Sequence, residues 1–272
     1  MRVSCVQMDM RLPKSAADVD YNYDHAKELI RSTCEREHPD VVVLPETWNV
    51  GFFPKENLEE YCDKNGERTK KEFSALSKEL HVNIVAGSVG DVREGKVWNT
   101  SYVFDREGQC IYTYDKIHLF SPSGEHLAFQ SGTHYARFEL DGVKCGLIIC
   151  YDIRFCELVR SEALQGIDVL FIVSQWPAAR ARHLDILVQA RAIENQMFAV
   201  LTNSCGTAYT TTCGGGSMVV DPWGVPLVRA GTTEEVITAE LDMSVIEGIR
   251  TSINVFNDRR PELYCINGGR VE

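Results

Sequence analysis

What this chain lacks closes several classes of function. No run of about 18 apolar residues occurs, so no membrane-spanning helix is expected. Basic residues are in deficit: 28 Lys and Arg stand against 39 Asp and Glu, a formal net charge of −11. A nucleic-acid or anionic-membrane partner needs a basic face, so neither is expected. An anionic substrate would need a local cationic pocket. The seven histidines show no HxH or HExxH spacing, and no two of the ten cysteines form a CxxC pair. No metal site and no other cofactor is expected. Gly214-Gly215-Gly216 is not followed by the Lys-Ser/Thr of a phosphate loop. No Pro/Gly/Ser-rich linker divides the chain, so one domain over 1–272 is expected, with 254–272 as an extended polar tail. Met1-Arg2-Val3-Ser4-Cys5-Val6 enters a strand without a leader pattern, and a cytoplasmic location with reduced thiols is expected.

What is present alternates between strand and helix patterns. Val3 to Met8 reads as a strand. Residues 20–37 read as a helix, with Ala26, Leu29, Ile30, Thr33 and Cys34 on one face. Val41-Val42-Val43-Leu44 is a continuous apolar run, hence a strand buried on both sides, and it stops at Pro45. Further strands are expected over 84–89, 97–104, 110–114, 168–174, 198–203, 217–220, 226–229 and 236–241, with a hairpin over 138–149. Helices are expected over 68–80, 155–165, 182–196 and 245–250. Residues 49–66, 117–134 and 206–216 read as loops. This order predicts an α/β protein with mixed sheets covered by helices.

The informative stretch is Gly146-Leu147-Ile148-Ile149-Cys150-Tyr151-Asp152. An apolar strand ends, a cysteine follows at once, and Asp152 reads as the N-cap of the next helix. Backbone N–H groups and the helix dipole converge there, which predicts a thiol shifted toward thiolate. Taken alone, the stretch equally fits a core cysteine.

Glu46 and Lys116 share that placement, each directly behind a strand. Ligands of α/β proteins bind where strands end. A charge behind a buried run is costly unless paired, and Glu46 and Lys116 have opposite signs. An acid, a cation and a thiol complete a nucleophilic mechanism. Glu46 would take the thiol proton and return it to a leaving amine. Lys116 and the backbone N–H of Tyr151 would hold an oxyanion.

Leu44-Pro45-Glu46, Tyr114-Asp115-Lys116-Ile117-His118-Leu119-Phe120 and Gly146-Leu147-Ile148-Ile149-Cys150-Tyr151-Asp152-Ile153-Arg154-Phe155 resemble the three signature blocks of the nitrilase superfamily, the carbon–nitrogen hydrolases. Gln189-Ala190-Arg191-Ala192-Ile193-Glu194-Asn195 and Gly216-Ser217-Met218-Val219-Val220-Asp221-Pro222-Trp223-Gly224 add to the likeness. The resemblance implies a four-layer αββα sandwich of two mixed sheets covered by helices, assembling as a homodimer or higher homo-oligomer. It implies Glu46 as general base, Lys116 as oxyanion stabiliser and Cys150 as the nucleophile that forms a thioester. It also implies a second glutamate after the lysine, which Glu125 fits. Cys156 departs from the pattern, since the family often has proline there.

Phe120-Ser121-Pro122-Ser123-Gly124-Glu125-His126-Leu127 and Ser174-Gln175-Trp176-Pro177 resemble the omega-amidase branch, which implies hydrolysis of the terminal amide of a short 2-oxo acid such as 2-oxoglutaramate. Such a substrate carries a carboxylate, for which Arg154 and Arg180 are candidates. Arg154 also stands three residues before Glu157, and a structural ion pair is the stronger expectation for it. Trp176 is a candidate pocket-lining residue. N-carbamoyl or nitrile hydrolysis is the alternative reaction, and an idle metabolite-binding scaffold the alternative class.

Overall fold

Alternation along the strands sorts the side chains into layers, because successive residues of a strand point to opposite faces. In strands Arg2–Gln7, Val41–Val43 and Asn83–Val85, residues Val3, Cys5, Val41, Val43 and Val85 enter one core. Their neighbours Val6, Val42 and Ile84 enter another. Strands Val143–Ile149 and Val169–Ser174 divide the same way. Cys145, Leu147, Ile149, Val169, Phe171 and Val173 join the first core, while Ile148, Leu170 and Ile172 join a third. The shared core therefore lies between two sheets. Helices Ala16–Glu37 and Glu67–Leu80 cover the outside of one sheet, through residues such as Tyr23, Ile30 and Phe73. Helices Cys156–Ala163 and Ala181–Asn195 cover the other, through Val159, Leu184 and Val188. This is the four-layer αββα arrangement. The computed structural model describes residues 1–51 and 57–265.

In the first sheet, Arg2–Gln7, Val41–Val43 and Asn83–Val85 run parallel. In the second, Val143–Ile149, Val169–Ser174 and Phe198–Asn203 run parallel. Both sheets are mixed, since antiparallel strands flank these centres.

Several expectations need correcting. The strand expected over 84–89 is two strands, Asn83–Val85 and Val89–Arg93. The break falls at Gly87, where φ is +58° and an added Cβ would lie 2.0 Å from the Pro45 carbonyl oxygen. The last strand, Glu235–Glu240, returns to pair antiparallel with Arg2–Gln7. Loop 117–134 carries a 3-10 turn at Ser121–Ser123, a helical turn at Glu125–Ala128 and a short strand at Phe129–Gln130. Loop 206–216 contains a hairpin of Thr207–Ala208 with Thr211–Thr212. Loop 49–66 includes a helical turn at Leu58–Tyr61, and its residues 52–56 lie outside the described chain. The tail carries a 3-10 turn at Pro261–Leu263, and its residues 266–272 also lie outside.

Candidate active site

The Glu46 side chain is held by the opposite sheet. The Leu44 N–H still pairs with the Val85 carbonyl, and the chain then leaves its own sheet at Pro45, which cannot donate to a ladder. The Glu46 N–H donates to the Ser174 carbonyl oxygen at 3.4 Å, at the end of strand Val169–Ser174. Its Oε2 accepts from the Gln175 N–H at 2.8 Å. The close approach at Gly87 lets this turn sit down.

Lys116 leaves strand Cys110–Asp115 with its backbone clamped on both sides. Its N–H donates to the Asn99 carbonyl oxygen at 2.9 Å, and its own carbonyl accepts from the Gly132 N–H at 2.8 Å. Its Nζ donates to Glu46 Oε1 at 2.8 Å and to both oxygens of Glu125 at 2.9 Å. The lysine is only 2% exposed. Burial alone would discharge it, but Glu125 and then Glu46 outweigh burial and hold the ammonium well above its ordinary range. Glu125 is fixed in turn by the Phe120 N–H, 2.6 Å from its Oε2.

Cys150 opens a 3-10 turn, Cys150–Arg154, with φ at +48°. Left-handed backbone at a non-glycine residue costs about 1–3 kcal/mol and has to be held in place. Asp152 is the group that holds it. Wholly buried, it accepts from the Ile149 N–H at 3.1 Å, the Tyr114 hydroxyl at 2.8 Å and the His118 N–H at 2.8 Å, with His118 Nδ1 also at 2.8 Å. Tyr114 and His118 stand two residues either side of Lys116. One carboxylate thus ties the lysine segment to the cysteine turn. Asp152 is therefore not the cap of the next helix, whose N-cap is Phe155.

The expected thiolate is also corrected. Burial first, and Glu46 second, push the Cys150 thiol up. Lys116 and the Ser174 side chain pull it down by less. Desolvation and the Glu46 carboxylate thus favour the protonated sulfur, while the residue as a whole is half-buried on the cavity wall.

All eight candidates, Glu46, Lys116, Glu125, Cys150, Tyr151, Arg154, Trp176 and Arg180, line one cavity of about 560 Å³. Arg154 does not make the structural pair expected with Glu157. Its guanidinium lies 4.6 Å from the Trp176 ring centre, and its Nη2 is 3.4 Å from His183 Nδ1. Arg180 lies 5.1 Å from the Phe120 ring centre. Among the described residues, neither arginine has a carboxylate within 4.0 Å. Trp176 donates its indole N–H to the Arg180 carbonyl at 2.8 Å, so one contact set orders both arginine segments. Cys156 is exposed at the start of its helix and faces Glu157, away from this cavity.

Sequence reasoning missed Asn99, the backbone of Gln175, the clamp role of Asp152, and Tyr209 to Thr211, which also line the cavity. One signal for Asn99 was available. Asn99-Thr100-Ser101 is a polar run inside the buried strand Lys96–Phe104, and buried polar groups need partners.

A base beside a thiol, with an ammonium behind it, can attack a carbonyl carbon and carry the resulting negative oxygen. Known proteins resemble the chain over nearly its whole length. The carbon–nitrogen hydrolase family model matches residues 2–251. The chain is 40% identical to the 2-oxoglutaramate amidase of Bacillus subtilis, over 96% of this chain and 98% of that one. It is 31% identical to the Homo sapiens omega-amidase NIT2, over 97% of each. Its fold matches Nit3 of Saccharomyces cerevisiae, a member of branch 10 of the nitrilase superfamily, with a TM-score of 0.85 and 28% identity over 96% of each. The chain belongs to the carbon–nitrogen hydrolases, the nitrilase superfamily.

Proposed function

We propose that the protein is an omega-amidase that hydrolyses the terminal amide of a short 2-oxo dicarboxylic acid, of the 2-oxoglutaramate type, and releases ammonia. The observation that carries this reading is the cavity itself. It is lined by a thiol, a buried Glu–Lys–Glu cluster and two arginines that, among the described residues, have no carboxylate partner. The Bacillus subtilis and Homo sapiens relatives carry matching activities in their names.

The steps follow from the positions. The amide carbonyl enters against Cys150. Glu46 takes the thiol proton as sulfur bonds to carbon, so no standing thiolate is needed. The carbonyl oxygen becomes an oxyanion, met by the Lys116 ammonium and the Tyr151 N–H. Glu46 returns its proton to the nitrogen, the carbon–nitrogen bond breaks, and ammonia leaves a thioester on Cys150. Water attacks that thioester with Glu46 again as base, and the carboxylic acid departs with the thiol restored. Glu125 keeps Lys116 charged and in place. Arg154 and Arg180 bind the substrate's own carboxylate, while Trp176 supports both.

The test is ammonia release from 2-oxoglutaramate by wild type and by Cys150→Ala. Activity in wild type and none in the variant is expected. Equal activity in both ends the assignment, and a preference for N-carbamoyl amino acids or nitriles in a substrate panel replaces the omega-amide with those classes.

We also read the protein as a single-domain cytoplasmic enzyme that forms homodimers. Exposed Ile186 and Ile193 on helix Ala181–Asn195, and Leu164 after helix Cys156–Ala163, support association through the helices of the second sheet. Light scattering at about twice the chain mass is the expected result.

A further inference from the structure

The cluster around Lys116 gathers two negative charges on one ammonium, and something else has to hold them there. Glu46 Oε1 and Glu125 Oε1 both lie within hydrogen-bond reach of Lys116 Nζ, at 2.8 Å and 2.9 Å. Like charges this close repel, and a lysine ammonium alone offers no fixed geometry to both. Asn99 supplies a second bridge. Its Nδ2 lies 3.0 Å from Glu46 Oε1 and 3.3 Å from Glu125 Oε1. An amide nitrogen carries two N–H bonds, one for each carboxylate. The side chain is wholly buried on strand Lys96–Phe104, and its backbone carbonyl accepts the Lys116 N–H. One residue therefore touches three members of the cluster.

The amide can face only this way. Turned over, its carbonyl oxygen would point at two carboxylates. In the orientation found, Asn99 Oδ1 has no protein partner among the described residues. Leaving a buried acceptor unpaired costs stability. An apolar residue would avoid that cost, so the gain from asparagine lies in what its nitrogen does for the carboxylates.

We propose that Asn99 is a positioning residue of the reaction, whose side-chain NH2 holds Glu46 and Glu125 together against Lys116 through the whole catalytic cycle. This rests on the reading of Glu46 as the base for Cys150. Glu46 alternates between carboxylate and carboxylic acid as it takes and returns the proton. A neutral donor can bond its Oε1 in both states, whereas an added charge would favour only one of them. Asn99 thereby keeps Glu46 aimed at the sulfur when its attraction to Lys116 weakens on protonation.

The titratable groups bonded to this amide are Glu46 and Glu125; Lys116 Nζ bonds both carboxylates, and Cys150 neighbours Glu46. On the same strand the Arg93–Asp115 pair bonds to Thr100. The test compares wild type with Asn99→Asp, which keeps the shape, and Asn99→Ala, which removes the donor. Readouts are kcat and KM against pH, urea midpoints, and the rate at which iodoacetamide alkylates Cys150, which needs no amide substrate. Both variants are expected to fold and to lose about 100-fold or more in kcat, with KM within about threefold of wild type. In Asn99→Asp the acid limb of kcat/KM and of alkylation moves to higher pH, because a third carboxyl group makes each further negative charge costlier. Folded variants with near-normal kcat and an unmoved acid limb overturn the proposal. Failure of both variants to fold also overturns it, since the side chain would then be a packing requirement. A wild type that hydrolyses no omega-amide, yet shows Asn99-dependent alkylation, would defeat the substrate assignment and leave this inference standing.

Discussion

Residue chemistry decides what Cys150 is at rest. The usual picture of a low-lying catalytic thiol needs an electropositive surrounding. Here burial comes first and Glu46 second, and both favour the protonated form. Thiolate absorbance assigned to Cys150, taken as wild type minus Cys150→Ala, should therefore stay flat from neutral pH up to the ordinary thiol value of 9.0. A titration step near neutrality would show a pre-formed thiolate and contradict the proton-transfer step. The arginines are testable at the same scale. Charged hydrogen bonds are worth about 1.5–3 kcal/mol, so Arg154→Ala or Arg180→Ala should raise KM for a 2-oxo acid amide by roughly 10–100-fold. Their effect on an uncharged amide of similar length should be small. Equal effects on both substrates would remove the arginines from carboxylate binding.

Elements set where these residues meet. Glu46, Lys116 and Cys150 were legible in the sequence because each stands just past an expected strand, and that punctuation is local. The partners were not legible, because they arrive through sheet pairing. Asn99 sits in mid-strand, and Gln175 contributes a backbone N–H that no side-chain pattern reveals. Nor does local pattern show that Gly87 must yield to the Pro45 carbonyl, which is why one expected strand is two. The Asp152 cap was misread for a related reason. Its position before a helix is a cap signature, yet burial beside Tyr114 and His118 gives its oxygens to another segment.

Helix Cys156–Ala163 docks on strand Val143–Ile149 through a buried acid, and that contact can be tested by pH. Glu162 Oε1 accepts the Ala136 N–H at 3.0 Å, and Oε2 lies 2.6 Å from where a Cβ on Gly146 would be, so a larger residue there would have to displace the carboxyl. Burial first lifts the Glu162 carboxyl well above its ordinary 4.5, the Ala136 N–H opposes, and Asp152 adds to the lift. The folded state keeps this proton while the unfolded chain loses it above 4.5. Stability carried by Glu162 is thus complete below that value and declines as pH rises toward the folded value. Glu162→Gln should gain on wild type with rising pH, by at most about 1.4 kcal/mol per pH unit. Urea unfolding at mildly acidic and mildly alkaline pH measures the gap, and a constant gap would show that the carboxyl is ionised in the fold.

For the whole molecule, the apolar pattern predicts mixed sheets covered by helices, the four-layer order rested on the family resemblance, and the closure of the sheets was not legible. Odd and even residues of the apolar runs predict a sheet covered on both faces, and the paired helices follow. That Glu235–Glu240 crosses back to Arg2–Gln7 is a long-range pairing, with register Arg2 to Glu240, which no local window contains. The outcome is that strand ends of both sheets open on one cavity. Lys116 comes from the first sheet and Cys150 from the second, and Glu46 is anchored across both. The proposed mechanism has one covalent intermediate, and mass spectrometry of rapidly quenched enzyme during turnover of 2-oxoglutaramate tests it most directly. It predicts the peptide containing Cys150 heavier by the acyl group of the substrate, transiently and on that cysteine alone. Steady ammonia release with Cys150 unmodified throughout, or with the acyl group on another residue, would contradict it.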